Sequence, residues 1–148
     1  MSVYATSTSS LSGTSITKAY SQINDSYNCG VINGYTNSGG ILGCSNSIRY
    51  NVIIKSCLNV GNITGNKSFG AISAVEDYTS VTNCYFLDKS VIEPTCILGT
   101  SKSDDQLKKQ TTFEGWDFDT VWTMEGRADY PYPELRDVPL VLPEDLTH

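Results

Sequence analysis

Between Ile23 and Ala74 the chain repeats itself, and this repetition narrows the possible folds more than any other feature. Residues Ser26 through Gly34 line up with Cys57 through Gly65 at an offset of 31, without a gap. The same offset places Ile23 on Ile54, Asn28 on Asn59, Gly30 on Gly61, Ile32 on Ile63, Gly39 on Gly70 and Ile41 on Ile72. Apolar, Asn and Gly positions that recur together at one period mark a repeat architecture. The apolar runs are short, rich in Ile, Val, Tyr and Thr, and stopped by Gly, Asn or Ser, which favours strands over helices. Strands of this kind can stack, each copy pairing with the last about 4.8 Å away. The expected partners are then Ile54 between Ile23 and Val81, and Ile63 against Ile32. The repeat glycines suit tight corners where positive φ penalises other residues. Asn28 and Asn59 are read either as a side-chain amide ladder or as turn residues.

A third copy begins at Val81 and shortens. Val81 through Tyr85 matches Ile54 through Leu58 at an offset of 27, after which the glycine pattern disappears. A truncated last copy is what a terminal repeat should look like. Ser26-Tyr27-Asn28, Cys57-Leu58-Asn59 and the run Gly39-Gly40-Ile41-Leu42-Gly43 together resemble the GLUG-type repeats of bacterial surface proteins. The second copy departs from that pattern with Gly70-Ala71-Ile72-Ser73-Ala74. The resemblance covers about the first ninety residues. It implies an all-β fold, a short right-handed parallel β-helix-like solenoid of about three rungs, on a secreted or surface-displayed protein. It implies no catalytic residue.

Three regions follow. Residues 1–98 are expected to hold the solenoid repeats, 99–137 a small C-terminal cap with a short helix and an aromatic unit, and 138–148 a linker or tail. Residues 1–10, mostly Ser and Thr, read as a linker or a frayed first strand. Leu11-Ser12-Gly13 sits thirty residues before Ile41-Leu42-Gly43 and hints at the end of an earlier repeat. The stretches from Cys44 to Tyr50 and from Val75 to Ser80 are the most polar connections. Past Gly99, Ser103 and Gln106 form a capping box with Asp104 and Asp105 in the first turn. A two-turn helix from about Asp104 to Gln110 is expected, closed by Lys108 and Lys109. Then Trp116, Phe118, Trp122 and Met124 alternate with polar residues, giving a period-two pattern with one apolar face. This aromatic unit, followed by Tyr130-Pro131-Tyr132-Pro133-Glu134-Leu135, resembles the segment that commonly follows such repeats. It is read as a cover for the last rung, because an open sheet end invites aggregation. The competing reading makes Trp122, Tyr130 and Tyr132 exposed stacking platforms for sugar, and these three are the candidate ligand-binding residues.

The chemistry available is sparse. The formal charge of −6 falls in the C-terminal third: residues 1–100 hold five acidic and five basic side chains, and residues 101–148 hold eleven and five. Such a distribution disfavours nucleic acid and anionic membranes, whose phosphates need Lys and Arg. Five cysteines and one histidine lack the paired spacings of a zinc site. Cys57 and Cys84 share a repeat column with Ser26, which reads as a small buried site; an inter-rung disulfide is the alternative. Asp117 and Asp119 are the only paired carboxylates weighed for glycoside cleavage or calcium, and a solvated acidic face is the preferred reading. No catalytic, metal or cofactor residue is assigned, and no enzyme activity is expected. The first ten residues lack a charged n-region and an apolar core, and no apolar run is long enough to span a bilayer. The resemblance implies an extracellular or cell-surface location, and with no such signal of its own the chain is then expected to be a piece of a longer protein, with neighbouring domains. Its expected role is a non-catalytic structural or adhesive module binding glycan or a surface protein. The alternative is a non-catalytic fragment of a polysaccharide-acting enzyme or phage-type spike.

Overall fold

The computed structural model describes residues 2–6, 19–44, 50–125 and 127–138. Leu11-Ser12-Gly13, the connection at 45–49 and the tail from 139 onward lie outside the described residues. The described residues are all-β, with one short α-helix. In order, the elements are β1 (Ser2–Thr6), β2 (Ala19–Asn28), β3 (Ile32–Asn33), β4 (Ser38–Gly39), β5 (Tyr50–Asn59), β6 (Ile63–Thr64), β7 (Phe69–Gly70), β8 (Thr79–Thr82) and β9 (Tyr85–Leu87). They continue with β10 (Thr100–Lys102), α1 (Asp104–Leu107), β11 (Trp122–Thr123) and β12 (Glu134–Leu135).

The pairing follows the repeat. β2 lies parallel to β5 with Ile23 opposite Ile54 and Asn28 opposite Asn59. β3 pairs with β6 through Ile32 and Ile63, and β4 with β7 through Gly39 and Gly70. Each is a 31-residue offset, held in three parallel pairings that belong to three separate sheets. The third pass keeps its path although its sequence pattern is lost. Ile54 pairs with Val81 and Leu58 with Tyr85, and single bridges join Ile63 to Val91 and Gly70 to Cys96. β1 runs antiparallel along the free side of β2, so the Ser/Thr-rich start includes a first strand. On the other side β10 adds itself parallel to β9, carrying the largest sheet past residue 98 into the segment expected to be cap.

The glycines have a different cause from the one expected. Among the described glycines, only Gly99 and Gly115 have positive φ; left-handed positions in the repeats are held by other residues, among them Asp25, Ser56 and Asn83, at +48°, +54° and +51°. Asp and Asn tolerate this region best. These three share one column, a stacked kink in the three passes. The next residue in each pass, Ser26, Cys57 or Cys84, returns a hydrogen bond to the carbonyl two residues back, at 2.9, 3.3 and 3.3 Å. The repeat glycines are there because the passes lie close: a Cβ on Gly61 would strike the Gly30 carbonyl oxygen, and one on Gly40 would strike that of Ala71.

Period-two alternation sorts the strand residues into two cores. Ile23, Ile54, Cys57, Ile63, Ile72, Cys84, Phe86 and Val91 pack together as the inner cluster. All five cysteines are free thiols; Cys57, Cys84 and Cys96 are buried. Cys57 lies within hydrogen-bonding reach of Cys84, and that contact together with burial pushes its thiol up. Tyr27, Leu58 and Tyr85, one residue further on, face outward and meet the second cluster, formed with Val60, Leu87, Leu107, Phe113, Trp116, Trp122 and Tyr130.

This second core corrects the expected cap. The aromatic unit packs against the outward side chains of all three passes, and Trp122 reaches Tyr27 and Asp25 of the first rather than the last. At the third pass Phe86 occupies the position opposite Asn59 and turns into the inner core, while Gly99 passes close to Ile72 and Phe86. The physical reason lies in the outward column: three stacked apolar side chains form a stripe that needs cover as much as an open end does. Two further expectations are corrected here. The helix is one turn, Asp104–Leu107, with its capping box intact; a separate 3-10 turn follows at Gln110–Thr112. Lys108 sits at the helix end and pairs back to Asp104. The period-two strand over Trp116–Met124 is mostly turn, with only Trp122–Thr123 paired to β12. Asp117 is responsible, because its carboxylate accepts the backbone N–H of Asp119 and Thr120 at 2.9 and 2.8 Å and so folds the segment on itself.

Candidate functional site

The three residues singled out as a sugar platform are placed very differently. Trp122 is wholly buried, and its ring lies 4.2 Å from that of Trp116 and 6.2 Å from that of Tyr27. Its Nε1–H donates to Asp25 Oδ1 at 3.2 Å, while the Trp116 Nε1–H donates to the Asn83 carbonyl at 2.8 Å. Both indoles are thus tied to the kinked column and have no face free for stacking. Trp122 is a structural residue, which corrects its candidacy. Its burial follows from the outward apolar stripe it covers.

Tyr130 and Tyr132 come together, their rings 5.3 Å apart and edge to face. Tyr130 is buried, and burial raises its phenol well above the ordinary range. Its hydroxyl has no hydrogen-bond partner among the described residues. Tyr132 is half-buried, and its hydroxyl donates to Asp104 Oδ1 on α1. Burial, then that carboxylate, raises the Tyr132 phenol; in return Asp104 is held below the usual carboxylate range, first by Lys108 and then by Tyr132. Pro131 and Pro133 fix φ on either side of Tyr132, so its ring is set by backbone as well as by that hydrogen bond.

These tyrosines border a groove that sequence reasoning did not find. Val60, Asn62, Leu87, Lys89, Asp129, Tyr130, Pro131 and Tyr132 enclose about 230 Å³. Asn62 and Lys89 also belong to an adjoining hollow of about 340 Å³, walled by Ile63, Thr64, Gly65, Phe69, Ser90 and Ile92. The second hollow exists because the third pass is short: six residues, 64–69, separate Ile63 from Gly70, and only four, 92–95, separate Val91 from Cys96. The edge beyond Ile63 is therefore left without a full strand beside it. The 27-residue offset does not mark this notch, because it arises earlier, where five residues (74–78) in place of nine (43–51) lead into the third copy; the available signal was the loss of the glycine pattern after Tyr85.

The electrostatics of the groove are mixed. Lys89 is exposed, with Asp88 next to it and Asp104 near enough for Lys89 to lower its pKa. Asp129 is already paired, accepting from Arg127 Nε and Nη2 at 3.1 and 2.7 Å. Behind the groove floor runs the asparagine ladder: Asn28 donates to Asn59 at 2.8 Å, and Asn59 donates to the Ser90 hydroxyl at 3.2 Å. Each amide also donates to the carbonyl two residues on, Gly30 or Gly61, so the ladder and turn readings hold together. Ser90 ends the ladder and sits under the notch.

The carboxylates weighed for chemistry stand elsewhere. Asp117 and Asp119 line a separate shallow surface with Phe113, Trp116, Phe118 and Thr120. Asp117 is held below the usual range by the Thr120 hydroxyl and backbone, so its oxygens are committed to the turn. Among the described residues no three His, Cys, Asp or Glu side chains converge as a metal ion would need. Nor is any described helix long and apolar enough to cross a membrane.

Comparison with known proteins gives one relative. Over 92 residues, 61% of this chain, it is 32% identical to a protein of Evansella cellulosilytica named "Putative Gly-rich membrane protein". The matched region is only 10% of that protein, so the chain spans about a tenth of its relative's length. No family model matches the sequence, and no solved structure matches it.

Proposed function

We propose that the chain is a short parallel β-helix-like solenoid, right-handed and GLUG-like, that serves as a non-catalytic structural or adhesive module of a larger surface or secreted protein. The observation that carries this reading is the 31-residue register kept in parallel strand pairs across three separate sheets. One repeat then builds one rung, and residues 99–137 brace the rungs from the side. Such a stack is rigid and extends by repetition, which suits display or spacing more than chemistry. The name of the longer relative, a membrane protein, is compatible with a place at the cell surface. Glycan or a host surface protein is the partner that this reading calls for, with no role for nucleic acid. The test is to incubate the purified protein with a panel of polysaccharides and of immobilised extracellular proteins, reading both retention and release of reducing ends. Retention without release is expected. Release of reducing ends by the protein, lost on heat denaturation, would overturn the non-catalytic reading.

A further inference from the structure

The geometry points to the groove at the shortened third pass, centred on Asn62 and Lys89, as a binding site for a neutral oligosaccharide. This assignment rests on the adhesive reading and gives it a place and a ligand class. A sugar ring has an apolar C–H face and a rim of hydroxyls that both donate and accept. The groove offers the matching pair of surfaces. Tyr132, Pro131, Phe69 and Ile92 line it with apolar area, and Ile92 is 79% exposed. The Asn62 amide, on the line where the two hollows join, supplies two donors and an acceptor, and the Lys89 ammonium supplies three donors. Binding sites of this type are mostly apolar, with few placed polar groups. The Tyr132 ring is held in advance by its hydrogen bond to Asp104 and by its flanking prolines, so little order has to be imposed on binding.

Charge narrows the ligand class. A polyanionic chain would meet Asp88 beside Lys89, in a protein of net charge −6. A strongly cationic ligand would meet Lys89 itself, with Asp129 already committed to Arg127. Hydroxyl groups suit both. The two hollows, about 230 and 340 Å³, share Asn62 and Lys89 in their walls, which gives room for more than one sugar ring.

The experiment is isothermal titration of the full chain with neutral hexaoses of glucose, xylose, mannose and galactose, beside a hexauronate and a basic peptide. Asn62→Ala and Lys89→Ala are the test variants; both residues are surface-exposed, and unchanged thermal melting checks that they fold. Asp119→Asn, on the separate surface, is the control. At least one neutral hexaose is expected to bind, with Kd raised tenfold or more by either test variant and unchanged by the control. Neutral-sugar binding that ignores both test variants would overturn this site and leave the adhesive reading standing. Binding of the hexauronate or the peptide alone would overturn the ligand class. A folded protein that holds no glycan here and no extracellular protein in the retention assay would overturn the adhesive reading as well.

Discussion

At the scale of single residues, the fold depends on a few polar side chains placed where their neighbours leave no alternative. Asn59 is fully buried; it accepts from Asn28 and donates to the Gly61 carbonyl and the Ser90 hydroxyl. Asn59→Ala removes all three contacts, taking the amide donor from the Gly61 carbonyl and the Ser90 hydroxyl and leaving the Asn28 amide only its bond to the Gly30 carbonyl. Buried polar groups stripped of a partner cost about 1–3 kcal/mol each, so a loss of about 3 kcal/mol is expected in urea unfolding. Asn28→Ala, at the half-buried first position, should cost about 1 kcal/mol; equal losses would mean that the ladder has no graded role. Asp104 makes a second residue-scale prediction. Lys108 and Tyr132 hold its carboxyl below the ordinary range in the folded chain. A lowered folded-state pKa adds stability above the unfolded value, near 4, and that stability is lost as pH falls through the folded value. Because the ion pair with Lys108 is well exposed, solvent screens it and its contribution is small. Melting temperature followed from pH 7 to pH 2 should fall less steeply for Asp104→Asn than for the parent; identical acid limbs would remove Asp104 from the account.

At the scale of elements, the relation between the aromatic segment and the strands decides stability. Trp122 lies wholly buried against Tyr27 and Trp116, so Trp122→Ala opens a cavity between the segment and the sheet. Such changes cost about 3–5 kcal/mol, and the melting temperature should drop sharply. Trp122→Phe keeps most of the contact and loses the hydrogen bond to Asp25, for about 1 kcal/mol. A near-native melting point for Trp122→Ala would mean that the segment does not brace the sheet. Sequence and structure part company at this scale, and for identifiable reasons. The strand register was legible because Ile, Asn and Gly recur at one spacing, and in-register stacking is the arrangement that reuses every one of them. The helix start was legible because Ser103 and Gln106 form a local, reciprocal pair. The side-on placement of the aromatic unit was not read, because nothing local ties Trp122 to Asp25, 97 residues away. A signal did exist in the outward column of Tyr27, Leu58 and Tyr85, apolar in every copy where a solvated face would be polar. The groove was missed for a related reason: its walls come from the second pass, the third pass and the Tyr130–Tyr132 turn, three segments that only the fold brings together.

At the scale of the whole molecule, the two cores share the same strands, and this predicts one cooperative unit in place of a stack plus a detachable cap. β5 gives Ile54 and Cys57 to the inner core and Leu58 to the outer one, and β9 gives Phe86 to the first and Tyr85 and Leu87 to the second. Removing everything after residue 98, where the repeats end in sequence, would take away β10 from the edge of β9. It would also remove Leu107, Phe113, Trp116, Trp122 and Tyr130, five of the nine buried members of the outer core. Tyr27, Leu58, Val60, Tyr85 and Leu87 would then face water as one apolar stripe. Burying a large apolar side chain stabilises by roughly 1.5–3 kcal/mol, so the loss of five approaches the 5–15 kcal/mol that holds a typical domain together. The chain ending at residue 98 is therefore expected to lack a cooperative thermal transition, to bind a hydrophobic dye and to associate. The full chain should instead unfold in one step, with tryptophan fluorescence and far-ultraviolet circular dichroism changing together. Two separated transitions in the full chain, or a truncated chain that melts cooperatively within a few degrees of it, would show that the repeats stand alone and that the segment beside them is an accessory.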